Sequence, residues 1–215
     1  MNTIEYLKEI YGYENPIILK NIRIGGKSKT AIRQELCRGY KKGVIQKSGT
    51  GVYCFAKPNR MIPFSGLSEL KIIESKYLKE GIQIEGLNIN RIGYYSGFTF
   101  LNMMKISPQV PNFYEVTTNK EVSNKRITTI NGVTIILRKP KVKIDYSNWK
   151  ILQFLDLIKF IDWEDLKNEE KYNILKEYIR KNLNKMMLTK YLNLYSNEVI
   201  KKIVETGLIN EFKWY

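Results

Sequence analysis

The apolar positions of the first sixty residues fall into helical spacings and then into a hairpin. From Thr3 to Tyr13, Ile4, Leu7, Ile10 and Tyr11 recur on one face and predict an amphipathic helix. Asn15 and Pro16 then read as the N-cap and first position of a second, short helix carrying Ile17, Ile18, Leu19 and Ile22. A third helix starts after Gly25-Gly26 with Ser28 as N-cap. Its Ile32, Leu36 and Tyr40 stand four apart and share an inward face, and Gly43 falls where a glycine closes a helix. Val44–Lys47 and Val52–Phe55 are strand-like runs around a Ser48-Gly49-Thr50-Gly51 turn. Three helices followed by a hairpin is the order of a winged helix-turn-helix.

The pattern changes after a linker candidate at 56–63, AKPNRMIP, so the sequence predicts a winged domain over 1–57 and a second domain over 58–215. In the second domain, Leu70, Ile73 and Tyr77 predict a helix over Leu67–Tyr77, and Ile82–Asn88 alternates weakly as a strand. Arg91–Met104 reads as a tight turn and then a helix packed closely on a sheet. Asn112–Thr118 is a strand, and Lys125–Ile130 with Gly132–Arg138 is a hairpin around Asn131-Gly132, a type I′ signal. Lys141–Asp145 extends the sheet. From about residue 147 the chain turns helical. Trp149, Leu152, Leu155, Ile158 and Ile161 mark one helix. Leu175, Ile179, Leu183 and Met186 mark a longer one over Leu166–Met187, and Leu192, Tyr195, Val199 and Ile203 a third over Leu188–Val204 that stops near Gly207. The expected fold class is α+β: a winged helix-turn-helix, then a mixed α/β domain ending in a helical segment.

Charge sharpens the reading of the first domain. The 215 residues carry a formal net charge of +15. Between Lys20 and Lys47, the cations Lys20, Arg23, Lys27, Lys29, Arg33, Arg38, Lys41, Lys42 and Lys47 are opposed only by Glu35. Such clustering neutralises phosphates and releases counterions, so nucleic acid is the first partner to consider and an anionic membrane the second. The competing reading is a solvated face on a lysine-rich chain. In a winged helix the third helix enters the major groove and the wing meets phosphates or the neighbouring groove. The expected DNA contacts are Lys27, Ser28, Lys29, Thr30, Arg33, Gln34, Arg38, Lys41, Lys42, Lys47 and Thr50. No apolar run reaches the length of a membrane span, and the first fourteen residues lack the apolar core of a secretion signal, so the expected location is the cytoplasm.

Several chemistries are missing. The chain has no histidine, which removes Ser-His-Asp and Cys-His arrangements. Its two cysteines, Cys37 on the third helix and Cys54 in the wing, cannot close a zinc site alone. Gly26-Lys27-Ser28 lacks the upstream glycine of a phosphate loop. Asp162, Glu164, Asp165, Glu169 and Glu170 could in principle hold Mg²⁺, but they read better as acidic first turns complementing helix dipoles. Ser65, Ser68 and Tyr95 have no activating base nearby in the sequence. No catalytic residue, cofactor or metal is expected, and the chain reads as a non-enzyme.

Three blocks together resemble a known family. They are LCRGYKKGVIQKSGTGVYCF at the end of the winged helix, GFTFLNMMKISPQVPNFYEVTTN over Gly97–Asn119, and the strand Val133–Arg138 followed by the leucine-rich helix Trp149–Ile161. The set is similar to the AbiEi-type antitoxins of type IV toxin–antitoxin (abortive infection) systems, over roughly Thr3 to Ile161. The resemblance implies a winged helix that represses its own operon by binding inverted repeats in the promoter. It also implies a C-terminal domain that counteracts a nucleotidyltransferase-like toxin without a stable complex. By position it makes Lys29, Thr30, Arg33, Gln34, Lys41 and Lys47 DNA contacts. Gly39 departs from the pattern, since a larger apolar residue is expected there and glycine weakens a helix by about 1 kcal/mol relative to alanine. The readings that compete are a winged-helix regulator with a ligand-sensing C-terminal domain and an RNA-binding protein.

Overall fold

A computed structural model describes residues 2–58, 66–80 and 90–214. It is a mixed α+β protein that divides into two compact units: Met1–Asn90 with Thr129–Gly132, and Arg91–Thr128 with Val133–Tyr215. Residues 66–80, which the sequence assigns to the second domain, fall in the first unit. The expected strand at Ile82–Asn88 and most of the 56–63 linker lie outside the described residues.

The first unit opens with helix α1 (Thr3–Tyr11), capped by the Asn2 side chain, which accepts from the Ile4 amide at 3.0 Å. The expected second helix does not form. Ile17 and Ile18 instead make a short strand, β1, and only a 3-10 turn remains over Leu19–Asn21. Both isoleucines are buried, at 0% and 6% exposure, and pair antiparallel with Tyr53 and Val52. Two adjacent β-branched residues that must both be buried fit a strand between two packed faces better than one stripe of a helix.

Helix α2 (Lys29–Lys41) is capped by Ser28, whose hydroxyl accepts from the Ala31 amide at 3.1 Å. Its C-terminus closes as a Schellman motif. The Val44 amide donates to the Gly39 carbonyl and the Gly43 amide to the Tyr40 carbonyl, both at 3.0 Å. Strands β2 (Gln46–Gly49) and β3 (Val52–Cys54) follow, and the three-stranded sheet has the order β1-β3-β2. The hairpin turn is tighter than expected. It is confined to Thr50-Gly51, and a register shift between Lys47 and Gly49 turns Ser48 inward. Leu7, Ile17, Ile22, Ile24, Ile32, Leu36, Ile45, Tyr53 and Phe55 form one hydrophobic cluster around α2.

Further on, α3 (Glu69–Ile73) runs into a π-helical turn over Glu74–Leu78. Ile72, Ile73, Tyr77 and Leu78 are buried, while Leu70, expected inside, is exposed. Short strands β4 (Lys79–Glu80) and β5 (Asn90–Arg91) flank the undescribed residues 81–89.

The second unit carries a sheet of order β6-β7-β9-β8, from β6 (Gly93–Tyr95), β7 (Phe113–Thr118), β8 (Arg126–Ile130) and β9 (Val133–Arg138), of which the end of β8 and the turn after it, Thr129–Gly132, are grouped with the first unit. Gly93 lies in a strand rather than in the expected turn. Strand β7 is antiparallel to β6 and parallel to β9, with Thr117 opposite Arg138. The β8–β9 turn holds Asn131 at φ 49° and Gly132 at φ 84°, the left-handed pair a type I′ turn needs. Lys141–Asp145 does not extend the sheet. The Asn119 side-chain amide takes the place of a strand there, donating to the Ile144 carbonyl and accepting from the Ile144 amide, both at 2.8 Å.

Helix α4 (Gly97–Met103) follows β6 directly and packs on β7. The junction explains Gly97. Its φ is 55°, and a Cβ there would lie 2.5 Å from the Glu115 carboxyl carbon and closer still to Oε2. That carboxylate is buried at the start of α4. It accepts from the Phe98 amide at 2.9 Å and pairs with Arg138 Nη2 at 2.7 Å.

Helix α5 (Trp149–Phe160) is apolar nearly all round and forms the centre of the unit's core, which also draws on Tyr94, Leu175, Ile179, Val199, Ile203 and Phe212. The helix expected over Leu166–Met187 is broken into α6 (Trp163–Lys167), α7 (Glu169–Asn182) and α8 (Lys185–Tyr191). Asn168 and Asn184 impose the breaks, each side chain capping the helix that follows it, and Met186 is left exposed. Helix α9 (Asn197–Glu205) ends before Gly207 at φ 77°. Among the described residues, no helix is long and apolar enough to cross a membrane.

Candidate nucleic-acid interface

Helix α2 has two opposed faces. Ile32, Leu36 and Gly39 are buried, and Thr30, Arg33, Gln34, Cys37 and Lys41 are exposed, following one another at the spacing of a single helical stripe. Lys29 and Arg38 flank that stripe and are also exposed. The stripe carries Arg and Gln, the side chains that pair bidentately with guanine and adenine edges, among cations suited to phosphate. The hairpin adds exposed Lys47 and Thr50. Lys42 is exposed at the C-cap of α2.

Two residues of the expected contact set are committed elsewhere. The Lys27 ammonium donates to the Thr3 hydroxyl at 2.7 Å and to both Glu35 carboxylate oxygens at 2.9 Å. It therefore ties the start of α1 to α2, and only about a quarter of its side chain is exposed. The Thr3 hydroxyl, and then Lys27, hold the Glu35 carboxyl below its usual range. The one acid of this basic stretch is thereby paired locally and leaves the other cations unopposed. Ser28 spends its hydroxyl on the α2 cap. Its backbone nevertheless stands at the helix N-terminus, where amides face outward.

One correction concerns the inward face. Tyr40, expected in the core, is 51% exposed, and Gly39 takes its place. A Cβ on Gly39 would meet Ile4 Cδ1 at 2.8 Å and Ile45 Cγ2 at 3.2 Å, so α2 approaches its neighbours with bare backbone. The buried stripe steps from Leu36 to Gly39 and turns Tyr40 out beside Lys41, adding an aromatic ring to the basic surface. The signal in the sequence was Gly39 itself: a glycine inside a helix often marks close packing.

The cysteines are free thiols. Cys54 is buried, and burial pushes its thiol up against a 3.3 Å contact with the Ser48 hydroxyl. Cys37 sits on the exposed stripe, 3.9 Å from the Tyr53 hydroxyl. Of the acidic residues at 162–170, Glu164 and Asp165 fall in the first turn of α6 and Glu169 and Glu170 in that of α7, and Asp165 pairs with Lys171.

No protein-family model matches the chain, and a search of curated proteins returns no significant match.

Proposed function

We propose that the first unit is a winged helix that binds duplex DNA, with α2 in the major groove and the β2–β3 hairpin as the wing. The protein is then an autorepressing antitoxin of the AbiEi type, bound to inverted repeats in its own promoter, and its second unit counteracts a nucleotidyltransferase-like toxin. The observation that carries the DNA-binding half is the exposed stripe Thr30, Arg33, Gln34, Cys37 and Lys41 on a capped helix whose opposite face is buried. The strand order β1-β3-β2, with β1 ahead of α2 and pairing to the far strand of the hairpin, also supports it. A strand followed by a shortened 3-10 turn fills the position between the first helix and the reading helix. The antitoxin half rests on the resemblance of the three sequence blocks.

The test is a titration of labelled duplex from upstream of the gene against an unrelated duplex of equal length, at two salt concentrations. Specific binding should appear on the upstream DNA only and weaken steeply with salt. Arg33→Ala with Lys29→Ala should abolish the specific shift and lower the salt slope by about 2. Unchanged operator binding by that variant would remove α2 as the reading head. Equal binding to both duplexes would reduce the interface to a basic surface, and tighter binding to RNA at matched salt would favour an RNA partner.

A further inference from the structure

The second unit contains a concave site of about 440 Å³ that the DNA-binding reading does not use. It opens where the parallel strands β7 and β9 end at their carboxyl sides, around the paired residues Thr117 and Arg138. That edge of a parallel pair is where ligands enter open α/β sheets, because loops and helix starts converge there. Ser96 contributes from the β6–α4 junction, Lys139 and Lys141 from the segment after β9, and Asp156, Lys159 and Phe160 from α5.

The inner surface is polar and preorganised. Ser96 and Thr117 are buried, and their hydroxyls hydrogen-bond each other at 3.0 Å. Asp156 accepts from the Tyr94 hydroxyl at 2.8 Å. Burial pushes the Asp156 carboxyl up, against hydrogen bonds from Tyr94 and Tyr195 and the nearby charges of Lys159 and Lys141. The Arg138 guanidinium is fixed by Glu115 and lies 5.7 Å from the Phe160 ring centre. The rim is cationic. Lys139, Lys141 and Lys159 are exposed, and none of them is within ion-pair distance of a carboxylate among the described residues. Their ammoniums outnumber the single carboxylate of Asp156, and the dianion of a phosphate monoester matches the excess. The volume lies within the ~300–1,000 Å³ of small-molecule sites.

We infer that this cavity binds a small phosphate monoester of the mononucleotide class, its phosphate on Lys139, Lys141 and Lys159 and a hydroxyl or amino group donating to Asp156. Phe160, partly exposed, is the aromatic side chain of the lining that a planar base would meet, and Arg138 and Lys159 each stand 5.7 Å from its ring centre. The assignment is independent of whether α2 reads DNA.

The test is calorimetric titration of the full chain with adenosine monophosphate, uridine monophosphate, adenosine, inorganic phosphate and a short single-stranded RNA. A mononucleotide should bind, and Lys139→Ala with Lys159→Ala should weaken it by about 10-fold or more. Lys167→Ala with Lys201→Ala, a pair of exposed lysines outside the cavity, should leave the affinity unchanged. Asp156→Asn should weaken the mononucleotide without weakening inorganic phosphate, since it removes a negative charge beside Lys141 and Lys159. Absence of mononucleotide binding, or binding indifferent to the Lys139 and Lys159 changes, overturns the proposal. Inorganic phosphate binding as tightly as the mononucleotide overturns the role of Asp156. RNA binding far more tightly than the mononucleotide, and sensitive to the same lysines, overturns the small-molecule assignment in favour of a nucleic-acid track.

Discussion

Replacing Gly97 by alanine tests the tightest junction in the second unit. Two costs add. The backbone at φ 55° costs an alanine about 1–2 kcal/mol. The new methyl also occupies the space of the Glu115 carboxylate, which must leave the Phe98 amide and Arg138. Breaking a buried pair costs about 3–5 kcal/mol, and the low end applies because Arg138 reaches solvent. The total of about 4 kcal/mol is a large share of the ~5–15 kcal/mol that holds a domain together. A thermal melt followed by circular dichroism should show a loss of about 10 °C or more. In a Glu115→Ala background, the added cost of Gly97→Ala should shrink to the backbone component alone. A Gly97→Ala protein melting within about 2 °C of the parent, or an equal cost in both backgrounds, would refute the overlap with Glu115.

Gly39→Ala should not deliver the ~1 kcal/mol that helix propensity promises, because its methyl meets Ile4 and the buried Ile45; net destabilisation of about 1 kcal/mol is expected in urea unfolding, and a stabilised protein would contradict the close packing of α2. Glu121 is opposed by burial, but hydrogen bonds from the Ser123 hydroxyl and amide, Arg126 and the Val122 amide outweigh it and hold the carboxyl at about 2. A depressed folded value stabilises above the ordinary 4.5 and is lost as pH falls through about 2. Glu121→Gln should therefore cost about 1–2 kcal/mol at neutral pH and progressively less on acidification, read from denaturant midpoints across that range, and a pH-independent difference would rule the charge out. Lys202 is buried, with its ammonium donating to the carbonyls of Ile161 at 2.7 Å and Ile158 at 3.4 Å, so Lys202→Met should lower stability by about 1–3 kcal/mol in thermal melts, against no change if those carbonyls find other donors.

Local chemistry was legible where one or two residues decide the backbone. Ser28, Gly43, Asn131-Gly132 and Gly207 each mark an element boundary that the structure reproduces. Two misplacements share a cause, burial decided by a packing partner outside the element, and a third is local. Ile17 and Ile18 follow a helix-start signal at Asn15-Pro16, yet form a strand by pairing with Tyr53 and Val52, more than thirty residues away. Tyr40 fits the inward spacing until the approach of Ile4 and Ile45 to Gly39 is known. Asn168 and Asn184 were hidden inside apolar periodicity, although both are good cap residues. The exposed stripe of α2 was readable because it lies on one helix. The cavity of the second unit was not, since Ser96, Thr117, Arg138 and Asp156 come from four separate elements and share no spacing.

Two hydrophobic clusters among the described residues, one in each unit, differ in when they can close during synthesis. That of the first unit runs from Leu7 to Phe55, so the packing around α2 can form once that short length has left the ribosome, ahead of the unit's buried Ile72, Ile73, Tyr77 and Leu78. That of the second includes Phe212, and Lys213 accepts from the Lys185 amide at 2.7 Å, while the parallel β7–β9 pairing already requires Arg138. Non-local pairing of this kind folds slowly and leaves apolar surface open in the interval. A nascent or C-terminally clipped chain would thus present a packed α2 beside an unfinished second unit, and proteolysis near the C-terminus should unfold the second unit while leaving the Leu7–Phe55 cluster intact.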